Sequence, residues 1–226
     1  MRALRQGLRE MEMTGTQLIE EMHRYRLVAV LRSSTSAEAL STAEAVAEAG
    51  VKFVEITLSV PGALDVIEKL ARTEGLHVAG GTVLSKKDAE RAIAAGAKII
   101  VTPTLELKLV PVCRKAGVPC VIGAATPTEI LTAARAGADL VKIFPADCLG
   151  GSDFVRQILA PMPDLRLLVS GGVNLENVRD YVELGVTGIC LGSAFLKKLY
   201  VEGGHSLVVK QVHEFVRMVD GGKNNP

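Results

Sequence analysis

The chain has 226 residues, 48% of them hydrophobic, and its 26 basic side chains balance 25 acidic ones to a formal net charge of +1. That composition suits one compact globular domain over residues 1–226 and excludes a disordered or fibrous chain. It leaves no charge excess to hold nucleic acid or an anionic membrane, so any anion has to be bound locally.

The opening stretch MRALRQGLREMEMTG scatters charges through its length and has no apolar h-region, and no apolar run reaches the ~18 residues of a membrane span. The expectation is a cytoplasmic protein. Residues 2–24 read as an amphipathic helix ahead of the main domain, and RLVAVLR follows as a first strand. From there a phrase recurs: a helix end, a glycine, then an apolar strand. It runs through AEAGVKFVEIT, TEGLHVAGGT, AAGAKIIVTP, KAGVPCVIGA, RAGADLVKIFP and ELGVTGICLGS, with Gly50, Gly75, Gly96, Gly117, Gly137 and Gly185 at the junctions. A glycine there supplies the left-handed residue that ends a helix before the next strand. PMPDLRLLVSGG adds a strand entered through prolines.

Between the strands, SAEALSTAEAVAEA and KKDAERAIAA show helical periodicity, with Ser36 and Ser85 as capping serines. Eight β-then-α units of about 20 to 25 residues predict a (β/α)8 TIM barrel over residues 26–219, with the extra N-terminal helix before it and a frayed tail over 220–226. An open doubly wound sheet is the alternative, but no first turn carries G-x-G-x-x-G. Cys113, Cys120, Cys148 and Cys190 are far apart, without a C-x-x-C pair, and fit reduced core thiols.

The stretch DLVKIFPAD, residues 139–147, places a lysine inside an apolar strand. Side chains alternate along a strand, so Leu140, Lys142 and Phe144 face one way and Val141 and Ile143 the other. In KFVEITL the same alternation sends Val54, Ile56 and Leu58 toward the helices and Phe53, Glu55 and Thr57 into the barrel. An acid and an amine then share one lumen. Polar groups at the C-terminal ends of barrel strands carry a functional prior. Those ends hold Arg32, Gly80, Gly81, Thr82, Thr102, Pro103, Phe144 and Pro145, with SGG after the seventh strand and GS after the eighth. Bland roles stand beside the functional ones: a buried ion pair for Lys142 and Glu55, a surface position for Arg32, a helix cap for Thr82 and a tight turn for Gly171 and Gly172. Gly171 and Gly172 together with Gly192 and Ser193 also match the phosphate site often built after strands 7 and 8.

These residues carry a resemblance. VAVLR, VEITLSVPGA, GGTVLS, VTPTLE, GAATPTE, VKIFPAD and SGGVNLENVRDYVELGVTGICLGSAF, in order over residues 27–196, resemble the aldolases that cleave 2-keto-3-deoxy-6-phosphogluconate (KDPG) and 2-keto-4-hydroxyglutarate (KHG). The resemblance implies a class I, metal-independent aldehyde-lyase without a cofactor, releasing pyruvate and glyceraldehyde 3-phosphate from KDPG. It implies Lys142 at the Schiff-base position and Glu55 at the proton-transfer position. Substrate contacts are expected at Arg32, Thr82, Pro103 and Phe144, phosphate contacts at Gly171, Gly172 and Ser193, and the assembly as a homotrimer. The partner is then a small, phosphorylated 2-keto acid. Three positions depart from the family's commonest pattern: Ser59 where one branch has arginine, Thr104 where glycine is frequent, and Ser170 in place of threonine.

Desolvation lowers the pKa of a lysine and a nearby carboxylate raises it, so the sign of the shift at Lys142 is open from sequence. His23, His77, His205 and His213 form no H-x-H or H-x-x-x-H pair. Alternatives are KHG or 2-keto-3-deoxy-6-phosphogalactonate as substrate, a phosphosugar isomerase or epimerase with an electrostatic lysine, and a non-catalytic barrel.

Overall fold

The computed structural model describes residues 13–220. Eight parallel strands close in sequence order, β1 to β8, into one barrel. They are β1 (Leu27–Leu31), β2 (Phe53–Thr57), β3 (His77–Gly81), β4 (Ile99–Val101), β5 (Cys120–Ala124), β6 (Leu140–Ile143), β7 (Leu167–Val169) and β8 (Gly188–Leu191). Helices follow the strands: α2 (Ser36–Glu48), α3 (Ala63–Leu70), α4 (Lys86–Ala94), α5 (Val110–Ala116), α6 (Pro127–Arg135), α7 (Gly151–Leu159), α8 (Val178–Glu183) and α9 (Ser193–Asp220). The predicted TIM barrel is therefore the fold. All six repeat glycines take positive φ, from 71° at Gly117 and Gly185 to 103° at Gly96, as the helix-ending role requires.

The helix expected over residues 2–24 is formed as α1 (Gly15–Tyr25), and it does not run unbroken through Met13 and Thr14. Thr14 instead caps it: its hydroxyl accepts from the Gln17 N–H while the Gln17 side chain accepts from the Thr14 N–H. The remainder of that expectation, residues 2–12, and the tail after Asp220 lie outside the described residues. A second correction concerns α2, whose cap is Thr35 and not Ser36; Thr35 has the extended backbone and accepts from Glu38. Ser85 caps α4 as expected, accepting from the Asp88 N–H at 3.1 Å.

Two apolar cores follow from strand alternation. The outer one packs residues such as Val54, Ile56, Val141 and Ile143 against the helices. The inner one fills the lumen with Val28, Val30, Phe53, Ala79, Ile99, Val101, Val121, Leu140, Leu168 and Cys190. Leu18, Ile19 and Met22 of α1 join this inner cluster and close the lumen at the N-terminal ends of the strands. At that floor His77 Nε2 lies 2.9 Å from the Glu21 carboxylate. Cys113, Cys120 and Cys190 are buried free thiols; Cys148 is exposed, because it falls in the 3-10 turn after β6 and not in a packed element. No helix among the described residues is long and apolar enough to cross a membrane.

Candidate active site

Strands β2 and β6 are four apart in an eight-stranded ring, so they stand on opposite walls of the lumen. Glu55 projects from one and Lys142 from the other, and the gap is closed by a two-pronged contact. Lys142 Nζ donates to Glu55 Oε2 at 3.0 Å and to Oε1 at 3.2 Å. Lys142 is 5% exposed and Glu55 1%, so little water screens the pair. Burial pulls the Lys142 amine down, but the Glu55 carboxylate outweighs it and the net shift is upward. The sign left open by the sequence is thus upward, which favours the ammonium form of the resting Lys142. The neighbouring Cys190 thiol is pushed up to about 12, chiefly by burial. The Phe144 ring lies 5.7 Å from Lys142 Nζ and contributes a cation–π contact.

Glu55 reaches across because its neighbour lacks a side chain. A Cβ on Gly81 would collide with Glu55 Oε1, Cγ and Cδ. The adjacent Gly80 answers a different need: its Cβ would meet the Ala92 Cβ of α4 at 2.9 Å. Sequence reasoning placed both glycines at a strand end without separating them. Alternation along β3 already carried the signal, since Gly81 shares the parity of the inward-facing Ala79.

Arg32 is exposed at the end of β1, and its guanidinium donates to Thr82 Oγ1 at 3.3 Å. Thr82 does not cap α4; Ser85 does. Thr82 instead holds φ 56°, a left-handed backbone that a β-branched residue rarely adopts. Strain of this kind clusters at ligand clamps, and here it aims a hydroxyl at the Arg32 guanidinium. Thr57 Oγ1 donates to Leu31 O at 3.0 Å and lies 2.9 Å from Ser59 Oγ, turning Ser59 toward the β1–β2 end of the barrel.

Pro103 and Phe144 are both half-buried at the C-terminal ends of β4 and β6. The Pro103 backbone crosses Gly123, where a Cβ would collide with the Pro103 carbonyl. Gly123 is the register partner of Lys142, so this crossing brings the β4 loop beside the amine. Thr102, which the sequence placed at the β4 end without a role, is buried and fixes it by donating to Thr104 O at 2.5 Å and accepting from the Gly123 N–H at 3.0 Å.

Val169 pairs with Ile189, so Gly171 and Gly172 after β7 sit beside Gly192 and Ser193 after β8. Gly171 has φ 113° and Gly172 φ 67°. The space a Cβ would take on either is occupied by Asp147: at Gly171 its Oδ1 would be 2.9 Å away, and at Gly172 its Cβ would collide. The double glycine thus admits Asp147 on that side. Asn177 Nδ2 donates to Gly172 O at 2.9 Å and holds the loop against the start of α8. The N–H groups of Gly171, Gly172 and Gly192 have no hydrogen-bond partner among the described residues.

Comparison with known proteins points to one family. A profile described as KDPG and KHG aldolase matches residues 18–212. The chain belongs to the KDPG and KHG aldolase family. It is 32% identical over 196 residues to the 2-dehydro-3-deoxy-phosphogluconate aldolase of Haemophilus influenzae, covering 86% of this chain and 92% of that one. The 2-dehydro-3-deoxy-6-phosphogalactonate aldolase of Escherichia coli is 34% identical over 170 residues, covering 74% and 82%. A solved 4-hydroxy-2-oxoglutarate and 2-dehydro-3-deoxyphosphogluconate aldolase superposes with a TM-score of 0.77 at 29% identity, covering 89% of this chain and 98% of that one. As an aldolase of this family the protein is an aldehyde-lyase.

Proposed function

We propose that this aldolase cleaves KDPG to pyruvate and glyceraldehyde 3-phosphate through a Schiff base on Lys142, without a metal ion. The observation that carries the reading is the desolvated contact of Lys142 with Glu55 at 3.0 Å. An ammonium is no nucleophile, and a general base within hydrogen-bond reach is what activates it. When the C2 ketone of a 2-keto acid enters, the proton passes from Lys142 to Glu55 and the amine adds to C2. Glu55 returns the proton to the carbinolamine hydroxyl, which leaves as water and gives the iminium. Glu55, again a carboxylate, takes the C4 hydroxyl proton, directly or through one water. The C3–C4 bond then breaks, its electrons pass into the iminium, and the aldehyde departs. Protonation at C3 and hydrolysis release pyruvate and free Lys142.

Arg32, Thr82, Pro103 and Phe144 stand around the mouth as the substrate contacts in this reading, and Gly171, Gly172 and Ser193 take the terminal phosphate. Three features support a phosphate there: left-handed glycines with N–H groups unused within the protein, the start of α9, and relatives named for phosphorylated substrates. The family resemblance adds a homotrimer, which sedimentation equilibrium would register as three times the chain mass.

Borohydride added with pyruvate tests the chemistry. Inactivation should accompany a covalent increment on the peptide containing Lys142, and Glu55→Gln should trap pyruvate about 10²- to 10⁴-fold more slowly. Labelling at another residue, or turnover surviving in Lys142→Ala, sinks the Schiff-base reading. A panel of KDPG, the phosphogalactonate epimer and KHG, assayed for pyruvate release, assigns the substrate.

A further inference from the structure

The phosphate contacts named above are backbone N–H groups and one hydroxyl, and the side chain packed against the double glycine is Asp147, from the turn after β6. A phosphate dianion held there would face a like charge with no cation among its named contacts. Besides Arg32, which is engaged with Thr82, a second cation is aimed at this end of the barrel. Lys197 lies four residues after Ser193, so both share one face of α9. Helical side chains lean back toward the helix N-terminus, which carries Lys197 toward Ser193 and the C-terminal end of β8.

Its hydrogen bond shows where the amine arrives. Lys197 Nζ donates to Ser34 Oγ at 3.2 Å, and Ser34 lies in the β1–α2 loop two residues beyond Arg32. Ser34 is itself anchored, its N–H donating to a Glu38 carboxylate oxygen at 3.1 Å. The ammonium therefore bridges the β8 and β1 ends at the rim of the lumen. Its neighbour Lys198 points elsewhere and lies 3.9 Å from Glu202, whereas Lys197 has no carboxylate within ion-pair distance among the described residues.

We propose that Lys197 is a specificity-determining residue whose ammonium, parked on Ser34, moves onto the terminal phosphate of the substrate and selects phosphorylated over unphosphorylated 2-keto acids. This rests on the phosphate reading of the β7 and β8 loops. A charge-assisted contact to a partly exposed phosphate is also screened by salt, so the selectivity it confers shrinks as ionic strength rises.

The test compares Lys197→Gln, Lys197→Arg and Lys198→Gln with wild type on KDPG, its phosphogalactonate epimer and KHG, with borohydride trapping of pyruvate in each. Both positions are exposed, and circular dichroism checks that the three variants fold alike. In Lys197→Gln the KM for KDPG should rise about 10-fold with kcat little changed, while KHG cleavage and pyruvate trapping stay at wild-type rates. Lys197→Arg should restore most of the loss, and Lys198→Gln should behave as wild type. If wild type prefers KDPG and Lys197→Gln keeps that preference in full, or loses both substrates equally, the role of Lys197 is overturned while the phosphate site stands. A wild type that prefers neither KDPG nor its phosphogalactonate epimer over KHG overturns the phosphate site and Lys197 together, leaving the Schiff-base chemistry to the trapping result.

Discussion

Lys142 Nζ meets both carboxylate oxygens of Glu55, at 3.0 and 3.2 Å, from the opposite wall of a closed lumen. Two buried charges that satisfy each other tolerate the loss of both better than the loss of one. Lys142→Met and Glu55→Leu should each destabilise the fold by about 3–5 kcal/mol, and the double variant should recover most of that in urea denaturation. The pair also has an alkaline signature. The folded pKa of Lys142 lies above its unfolded value, so its contribution is complete below the ordinary lysine pKa of about 10.4 and fades as pH climbs through the folded value. Glu55→Gln should abolish that alkaline loss.

Gly80 and Gly81 differ only in which side of β3 they face. Gly81→Ala drives a methyl into the Glu55 side chain and displaces it from Lys142, so pyruvate trapping should slow by at least about 10-fold and stability should fall with the disturbed ion pair. Gly80→Ala presses on Ala92 of α4, where overpacking costs about 1–3 kcal/mol, and should lower stability with trapping largely kept. Equal effects of the two changes on activity would remove the lumen-facing role of Gly81.

The floor of the barrel should respond to acid. Burial lowers the pKa of His77, and Lys98 and Lys52 lower it further, against Glu21 which raises it; the net shift is downward. A depressed folded pKa gives stability that is present above the unfolded value of about 6.5 and is lost as pH falls through the folded one. Wild type should therefore lose stability between pH 7.5 and 5, and His77→Gln should lose less over the same interval. Parallel losses in the two proteins would show that the acid sensitivity arises at other groups.

Much of the fold was legible because its signals are local. Six glycines that end helices with positive φ announced the unit length, and alternation within KFVEITL and DLVKIFPAD assigned Lys142 and Glu55 to one lumen. Local signals also misled. Ser36 and Thr35 offer equivalent hydroxyls, and only the backbone angles choose Thr35 as the cap. Periodicity alone ran the first helix through Met13 and Thr14, whereas a capping box at Thr14 sets its start at Gly15.

The sequence by itself determined the barrel, its lumen-facing acid and amine, and the rim positions where Arg32, Thr82 and the glycine pairs stand. Tertiary structure alone decided how these meet. A strand pattern has period two and carries no information about the opposite wall, so the 3.0 Å contact exists only once ring closure fixes the width of the lumen. The sign of the Lys142 shift follows from that distance, because burial and the Glu55 charge oppose each other and only geometry weighs them. The same holds for Asp147 against Gly172 and Lys197 on Ser34. These residues are remote in sequence, and their contacts are set by which loops the closed barrel gathers at one end.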